Sequence, residues 1–468
     1  MQIFESRKRT AHPDRQLGFS ALALAMALSA PAIVFAQTPP STGGANVHQQ
    51  QAAVAKSEQI MADAQTRKGL LAQYVFMRDA YASDNNSAFR VIFNQYLSWF
   101  QTWVGDYAGA RTSFSIVQKA EKDDAKSPLE ESDWKAEPAV AAIARLAKDE
   151  KAVFFNENHS YPLTRALTVQ MLAALRKEGF DTFAAETLNQ PEMPDLQKRG
   201  YAIHATGFYT EEPVYAEMVR EALKLGYRVV AYEALSDVTG DAREEEQARN
   251  LKRDVYKDHP DARLVVNAGF AHIQEHGKYL NGAAMAQHFA RITDIDPLTI
   301  EQTMLIPHDN KASDHPYYRD VMHKLAPKEA IVFVDQKGDP WTLKPKAYDV
   351  SVFFPEETMQ HGRPTWLALG GMRQTVEVSG RMCDNHYPCM VEARYDGYPD
   401  EAIPADRVVI EFKGKMNAYG GKVRQSSDPD PVADLWLRPG NYQILSRDMD
   451  NQPRHRQTIV VGASSAKP

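Results

Sequence analysis

Four short apolar runs, residues 152–155, 182–185, 227–232 and 264–268, alternate with stretches whose apolar residues recur at helical spacing. This alternation constrains the fold more than any other feature of the chain. Strands that are apolar throughout need cover on both faces, and helical crossovers between them make the sheet parallel. After the first run, Ser160 and Pro162 form a helix start, with Ser as N-cap and Pro in the first turn. Leu163, Leu167, Met171, Leu172 and Leu175 then keep helical spacing up to Gly179. Further helices are predicted over 214–225, 244–257 and 283–292, and further strands over 299–305 and 330–334. The prediction is an α/β domain over residues 136–345, mainly a parallel sheet with helices on both faces.

The flanks differ. Phe89, Ile92, Phe93, Tyr96, Phe100 and Trp103 share one helix face; Gly105 and Asp106 break that helix and cap a second over 107–117. Residues 66–125 are read as a small helical hairpin unit, and the Gln-, Ala-, Ser- and Gly-rich residues 37–65 as a polar linker. Segment 103–110 resembles the inter-helix turn of a tetratricopeptide repeat, but in one copy, where a stable array needs about three. Helices packed on the main domain are therefore expected, with a peptide-binding platform as the sharper alternative. From 346 to 468, short β-rich runs at 365–369, 375–378, 390–395, 407–412, 442–446 and 457–461 are punctuated by Gly, Pro, Asp and Asn. They suggest a β-rich, sandwich-like domain with a structural or docking role, and either flank is a place for a protein partner.

Arg7, Lys8, Arg9 and Arg15 precede an apolar stretch, 17–35, that ends in Val34-Phe35-Ala36. This reads as a secretory signal peptide over residues 1–36. An uncleaved anchor is the rival, since the stretch approaches spanning length; Pro31, Ser20, Ser29 and the polar exit from Gln37 favour cleavage. The expected location is periplasmic or secreted, with no membrane span after cleavage. Of 468 residues, 54 are Lys or Arg and 61 Asp or Glu, a net charge of −7; removing the signal's four basic and two acidic residues leaves −9. No cationic excess is available for nucleic acid. In an oxidising compartment the only cysteines, Cys383 and Cys389, are expected to form a local disulfide, there being no further ligands in a C-x₂-C pattern for a metal.

The residues after each apolar run carry the chemistry. Glu157 and His159 follow the first, Glu186 the second, Glu233 the third and His272 the fourth. In an open α/β sheet the carboxyl ends of the strands form the ligand-binding edge, so all five are expected on one rim. Each has a bland alternative: a helix-capping cluster for Glu157 to His159, an exposed loop carboxylate for Glu186, a packed core histidine for His272, and for Glu233 one acidic residue among several nearby. Glu186 ends Phe183-Ala184-Ala185, where a partly desolvated carboxylate needs a metal, a His or an Arg. Gly269 allows the chain to turn and aim His272. His276, His308, His315 and His361 read as polar loop residues, with His308 and His315 placed to flank the same cleft.

The order N-E-x-H, A-E, Arg-Glu-Glu-Glu-Gln-Ala-Arg-Asn (243–250) and A-G-F-A-H resembles the superfamily that joins erythromycin esterases, ChaN-like iron/haem-binding proteins and Tiki/TraB metalloproteases. The matching positions are Glu157, His159, Glu186, Arg243, Gly269 and His272, within about residues 138–345. Asn156 stands where that superfamily usually has Gly. The resemblance implies hydrolysis of an ester or amide in a small-molecule or peptide substrate by direct water attack, and the chain has no G-x-S-x-G serine nucleophile. Two mechanisms are open. Glu157, His159, Glu186 and His272 could hold a divalent first-row metal ion, the side on which the short Glu157–His159 spacing lies. Alternatively His159 takes a proton from water while a carboxylate orients it, with Arg165 or Arg243 on a substrate anion or oxyanion and Glu233 beside them. The rival function is a non-catalytic periplasmic iron or haem carrier using the same rim.

Overall fold

The computed structural model describes residues 45–130, 133–235, 237–412, 415–416, 422–423 and 430–463. The expected signal peptide lies outside the described residues. Four helices open the described chain: α1 (Ala45–Gln65), α2 (Leu70–Ser83), α3 (Ser87–Trp103) and α4 (Tyr107–Ser113). Helix α1 replaces most of the expected polar linker. Ala53, Ser57, Met61 and Ala64 are buried, a stripe of mostly small residues at helical spacing that lets α1 lie close along α3, so low apolar content did not prevent packing. Asn86 caps α3 by accepting from the Phe89 amide at 3.0 Å, and Asp106 caps α4 by accepting from the Gly109 amide at 3.0 Å. Phe89, Phe93, Tyr96, Phe100 and Trp103 are buried in one core continuous with the α/β domain, so the helical unit packs on the main domain.

The chain continues through β1 (Lys135–Pro138), α5 (Ala139–Leu146), β2 (Ala152–Glu157), α6 (Leu163–Lys177), β3 (Thr182–Ala185), α7 (Met193–Arg199), α8 (Pro213–Lys224), β4 (Arg228–Ala231), α9 (Asp241–Leu251), β5 (Leu264–Gly269), α10 (Met285–Thr293), β6 (Leu298–Glu301), α11 (Pro316–Leu325), β7 (Ile331–Val334) and β8 (Val350–Ser351). Six of these strands form an all-parallel sheet in the order β4-β3-β5-β2-β6-β8. Val153 and Phe155 face one core with α6 and α8, while Ala152 and Phe154 face a second with α9 and α10. The expected two-sided burial is therefore present. Strand β7 does not join this sheet. It pairs antiparallel with β1, in a segment whose charge masked a strand, and β8 takes the sixth place from beyond the expected boundary at 345. Two residues are too few to show a period. Pro162 rather than Ser160 occupies the N-cap of α6, because the Ser160 hydroxyl pairs with that of Ser98 at 2.6 Å.

The C-terminal region is antiparallel and strand-rich. Hairpin strands β9 (Met359–Gln360) and β10 (Arg363–Pro364) lead to β11 (Gln374–Ser379), β12 (Cys389–Tyr395), β13 (Asp406–Ile410), β14 (Lys415–Met416), β15 (Lys422–Val423), β16 (Val432–Leu437), β17 (Gly440–Arg447) and β18 (Pro453–Val461). A β13-β12-β17-β18 sheet and the β11–β16 pair share one core. The run 365–369 is a 3₁₀ turn (Thr365–Ala368) ended by Leu369 at φ 50°, and β16 replaces it as a strand unforeseen from sequence. Cys383 and Cys389 form the expected disulfide between β11 and β12. No described helix is long and apolar enough to cross a membrane.

Candidate functional site

The parallel sheet brings all five predicted residues to one rim and buries them: Glu157, His159, Glu186, Glu233 and His272 are each under a tenth exposed. The site consists of two histidine–carboxylate pairs on either side of one carboxylate. Glu157 ends β2, and its Oε1 meets His159 Nδ1 at 2.9 Å. Arg165, in the first turn of α6, donates to both Glu157 oxygens at 2.8 Å, and Asn267 of β5 donates to Oε2 at 2.8 Å. Burial alone would raise the Glu157 pKa, but the Arg165 charge and these bonds outweigh it and hold the carboxyl down at about 2. Glu157 therefore fixes the proton of His159 on Nδ1 and leaves Nε2 as the basic nitrogen. The ring stacks on Tyr209 at 4.1 Å and meets the edge of Phe270 at 5.2 Å.

The second pair comes from the 3₁₀ turn after β5 (Phe270–Ile273) and from α9. His272 Nδ1 lies 2.6 Å from Glu244 Oε2, which also accepts from the Met285 amide at 3.0 Å. Burial would lower the His272 pKa; Glu244 and Glu186 reverse this and raise it. Between the histidines stands Glu186, its Oε2 accepting from the Gly269 amide at 2.6 Å and lying 3.7 Å from His159 Nε2, its Oε1 3.6 Å from His272 Nε2. Burial pushes the Glu186 pKa up, but His272, His159 and Arg243 together bring it down. Directly after Glu186, Thr187 has φ 64°, a costly value for a β-branched residue; Tyr209 donates its amide to the Thr187 hydroxyl at 3.2 Å. That bend turns the chain away from the sheet and leaves the Glu186 carboxylate inside.

The two arginines are held by carboxylates. Arg165 is fully buried behind Glu157 and also donates to Glu212 at 3.1 Å. Arg243 donates to Glu233 at 3.0 and 2.9 Å, and Glu233 also accepts from Gln247 at 2.8 Å. Glu233 thus orients Arg243, whose Nη2 reaches Glu186 at 3.4 Å and whose Nη1 stands 3.5 Å from His272 Nε2. His308 pairs with Asp314 at 2.9 Å and His315 with Asp124 at 3.2 Å, while His361 pairs with Asp434 at 3.0 Å, none of them touching a rim residue. Sequence reasoning missed Glu244, Asn267, Glu212 and Tyr209.

A metal fits this arrangement poorly. Both oxygens of Glu157 are taken, and the Arg243 guanidinium already supplies a positive charge beside Glu186 and His272. Among the described residues, Glu121, Asp123 and Asp124 are the group whose ligand atoms gather within 4.8 Å, and Lys344 Nζ stands among them at 2.5, 2.7 and 2.8 Å.

The depressed Glu157 pKa makes stability depend on pH. Its contribution is complete above the unfolded carboxyl pKa of about 4.3 and is lost as pH falls through about 2. Urea melts of the wild type and of Glu157→Gln are expected to show a stability gap that narrows by about 3 kcal/mol between pH 7 and pH 2. A gap independent of pH would contradict the assigned protonation.

No protein-family model and no curated protein matches the sequence. Among solved structures, the chain is similar to the type III effector HopBA1, with 11% identity and a TM-score of 0.31 over 47% of this chain and 97% of that chain. It is also similar to a structure described as bacterial protein toxins, with 13% identity and a TM-score of 0.30 over 63% of this chain and 68% of that one. A third likeness is to RRSP, a MARTX toxin effector domain from Vibrio vulnificus, with 15% identity and a TM-score of 0.27 over 57% of this chain and 65% of that chain. TM-scores near 0.3 carry no inference about what this chain does.

Proposed function

We propose that this chain is an exported hydrolase that cleaves an ester or amide by direct attack of water, without a metal. The observation that carries the reading is the Glu157–His159 pair, 2.9 Å apart, with Glu157 locked by Arg165 and Asn267 so that only His159 Nε2 can accept a proton. A base oriented in this way contributes by taking a proton from water as the new C–O bond forms. A water bound by both His159 Nε2 and Glu186 Oε2, which stand 3.7 Å apart, would be placed to attack. His272, whose raised pKa favours the imidazolium, and Arg243 Nη1 stand on the other side of Glu186 and would receive the developing oxyanion. The metal-free mechanism is the one that the esterase branch of the resemblance suggests, whereas the short Glu157–His159 spacing lies with its metal-binding members; the fixed Glu157–Arg165 and Arg243 pairs are what favour the metal-free reading here.

A panel of ester and peptide substrates, read with and without chelator, tests this. Turnover is expected to be unchanged after dialysis against EDTA. Loss on chelation, restored by one equivalent of a first-row divalent ion, would replace the metal-free mechanism with the metal-dependent one. Absence of turnover on the whole panel, together with a Soret band or stoichiometric iron in the purified protein, would support the iron or haem carrier instead.

A further inference from the structure

The break between α3 and α4, the repeat-like segment 103–110 present in one copy, places Tyr107 against the α/β domain. Gly105 turns the chain there at φ 79°, where a Cβ would strike the Arg407 carbonyl. Tyr107 begins α4, is 2% exposed, and donates its hydroxyl to Glu212 Oε1 at 2.7 Å. Burial and the Glu212 charge push the phenol pKa well above its ordinary value, so the hydroxyl keeps its proton. Glu212 is fully buried; it also accepts from the Val214 and Tyr215 amides at 2.8 Å and, on Oε2, from Arg165 Nη1 at 3.1 Å. Arg165 grips Glu157 with Nε and Nη2, each at 2.8 Å, and Glu157 holds His159 Nδ1. The same helices brace the adjoining residues. Phe208 stands edge-on to Trp99 and Trp103 at 5.2 and 5.0 Å, and Tyr209 next to it stacks on His159.

One guanidinium is thus shared by two buried carboxylates, and the Tyr107 hydroxyl governs how strongly Glu212 draws on it. A buried carboxylate that loses a donor must make up the loss from those that remain. Without the hydroxyl, Glu212 would pull Nη1 closer and weaken the grip of Arg165 on Glu157. The Glu157 oxygens would then be less neutralised and less firmly fixed, and would accept more strongly from His159 Nδ1. We propose that Tyr107 is a positioning residue for His159, through which the N-terminal helical unit orients the base by way of Glu212, Arg165 and Glu157. The role of His159 as a base rests on the hydrolytic reading, whereas the chain of bonds does not.

Proton spectra of the imidazole N–H region read this chain without a substrate. Two low-field signals are expected, from His159 Nδ1–H on Glu157 and from His272 Nδ1–H on Glu244, the first identified by its loss in His159→Ala. Tyr107→Phe removes only the hydroxyl and keeps the ring contact with Trp366 at 5.1 Å. It is expected to move the His159 signal downfield and to leave the His272 signal in place. Glu212→Gln, which releases Arg165 to Glu157, is expected to move the His159 signal upfield. On a substrate that the wild type cleaves, Tyr107→Phe is expected to lower kcat by about 10-fold with KM unchanged, a smaller loss than a full displacement of the base would bring. Phe93→Leu, in the core of α3 and outside the chain of bonds, controls for lost stability and is expected to change neither the signal nor kcat. A His159 signal that Tyr107→Phe leaves in place, or moves no further than Phe93→Leu does, would overturn the proposal, as would an unchanged kcat. Opposite shifts in the two variants without turnover of any substrate would support the positioning role and count against the hydrolytic reading.

Discussion

Replacing His159 with Ala is expected to lower kcat by about 100- to 10,000-fold, the range that a positioned general base contributes. The loss should appear in kcat more than in KM, because Nε2 acts on water in the transition state and the bound substrate keeps its other contacts. The ring packs on Tyr209 and Phe270, so near-ultraviolet circular dichroism must be recorded alongside to show that the fold survives. Glu157→Gln provides the companion measurement. It leaves the imidazole in place but removes the carboxylate that fixes its tautomer, and it leaves Arg165 buried with one carboxylate partner fewer. Its expected signature is a large fall in kcat together with lower stability. Should His159→Ala retain full turnover on the substrate that the wild type cleaves, the base is elsewhere and the mechanism fails.

The parts of the site legible in the sequence are those carried by strand ends. A strand apolar on both faces that stops at Glu or His announces a polar group at the edge of a dry core, and Glu157, Glu186, Glu233 and His272 all arrive on the rim for that reason. What was not legible comes from the partners. Glu244, Glu245 and Glu246 look equivalent in the sequence, yet only Glu244 is buried, because α9 turns Arg243, Glu244, Gln247 and Asn250 towards the sheet. Polar Arg243, Gln247 and Asn250 at i, i+4 and i+7 are the available signal, but an inward helix face is ordinarily marked by apolar residues, and this one carries few. Tyr209 carried no signal at all: it belongs to a one-turn 3₁₀ segment, Tyr209–Glu211, and reaches His159 only through tertiary packing. In the same way α1 was hidden because small residues pack closely without raising the apolar content of a segment.

Gly269→Ala is expected to be nearly as damaging as loss of the base itself. At φ −78° and ψ 145° the backbone of Gly269 suits any residue, so conformational freedom is not what the position requires. It requires space. A Cβ there would lie 2.2 Å from His159 Nε2, 2.3 Å from Cε1 and 2.9 Å from Glu186 Oε2, inside contact distance of both reacting groups. The imidazole must swing off Glu157 or the β5 terminus must move, and a displacement of about 1 Å at a general base costs on the order of 100-fold in rate. Overpacking of this kind also costs about 1–3 kcal/mol of stability. A double-mutant cycle separates this contact from a general intolerance of the strand end. In the His159→Ala background the ring is gone and only the 2.9 Å approach to Glu186 Oε2 remains, so adding Gly269→Ala should cost clearly less than it does in the wild type. Urea melts of the four proteins measure the coupling without any substrate. An equal cost in both backgrounds would mean that Gly269 is required for the path of β5 rather than for the ring of His159.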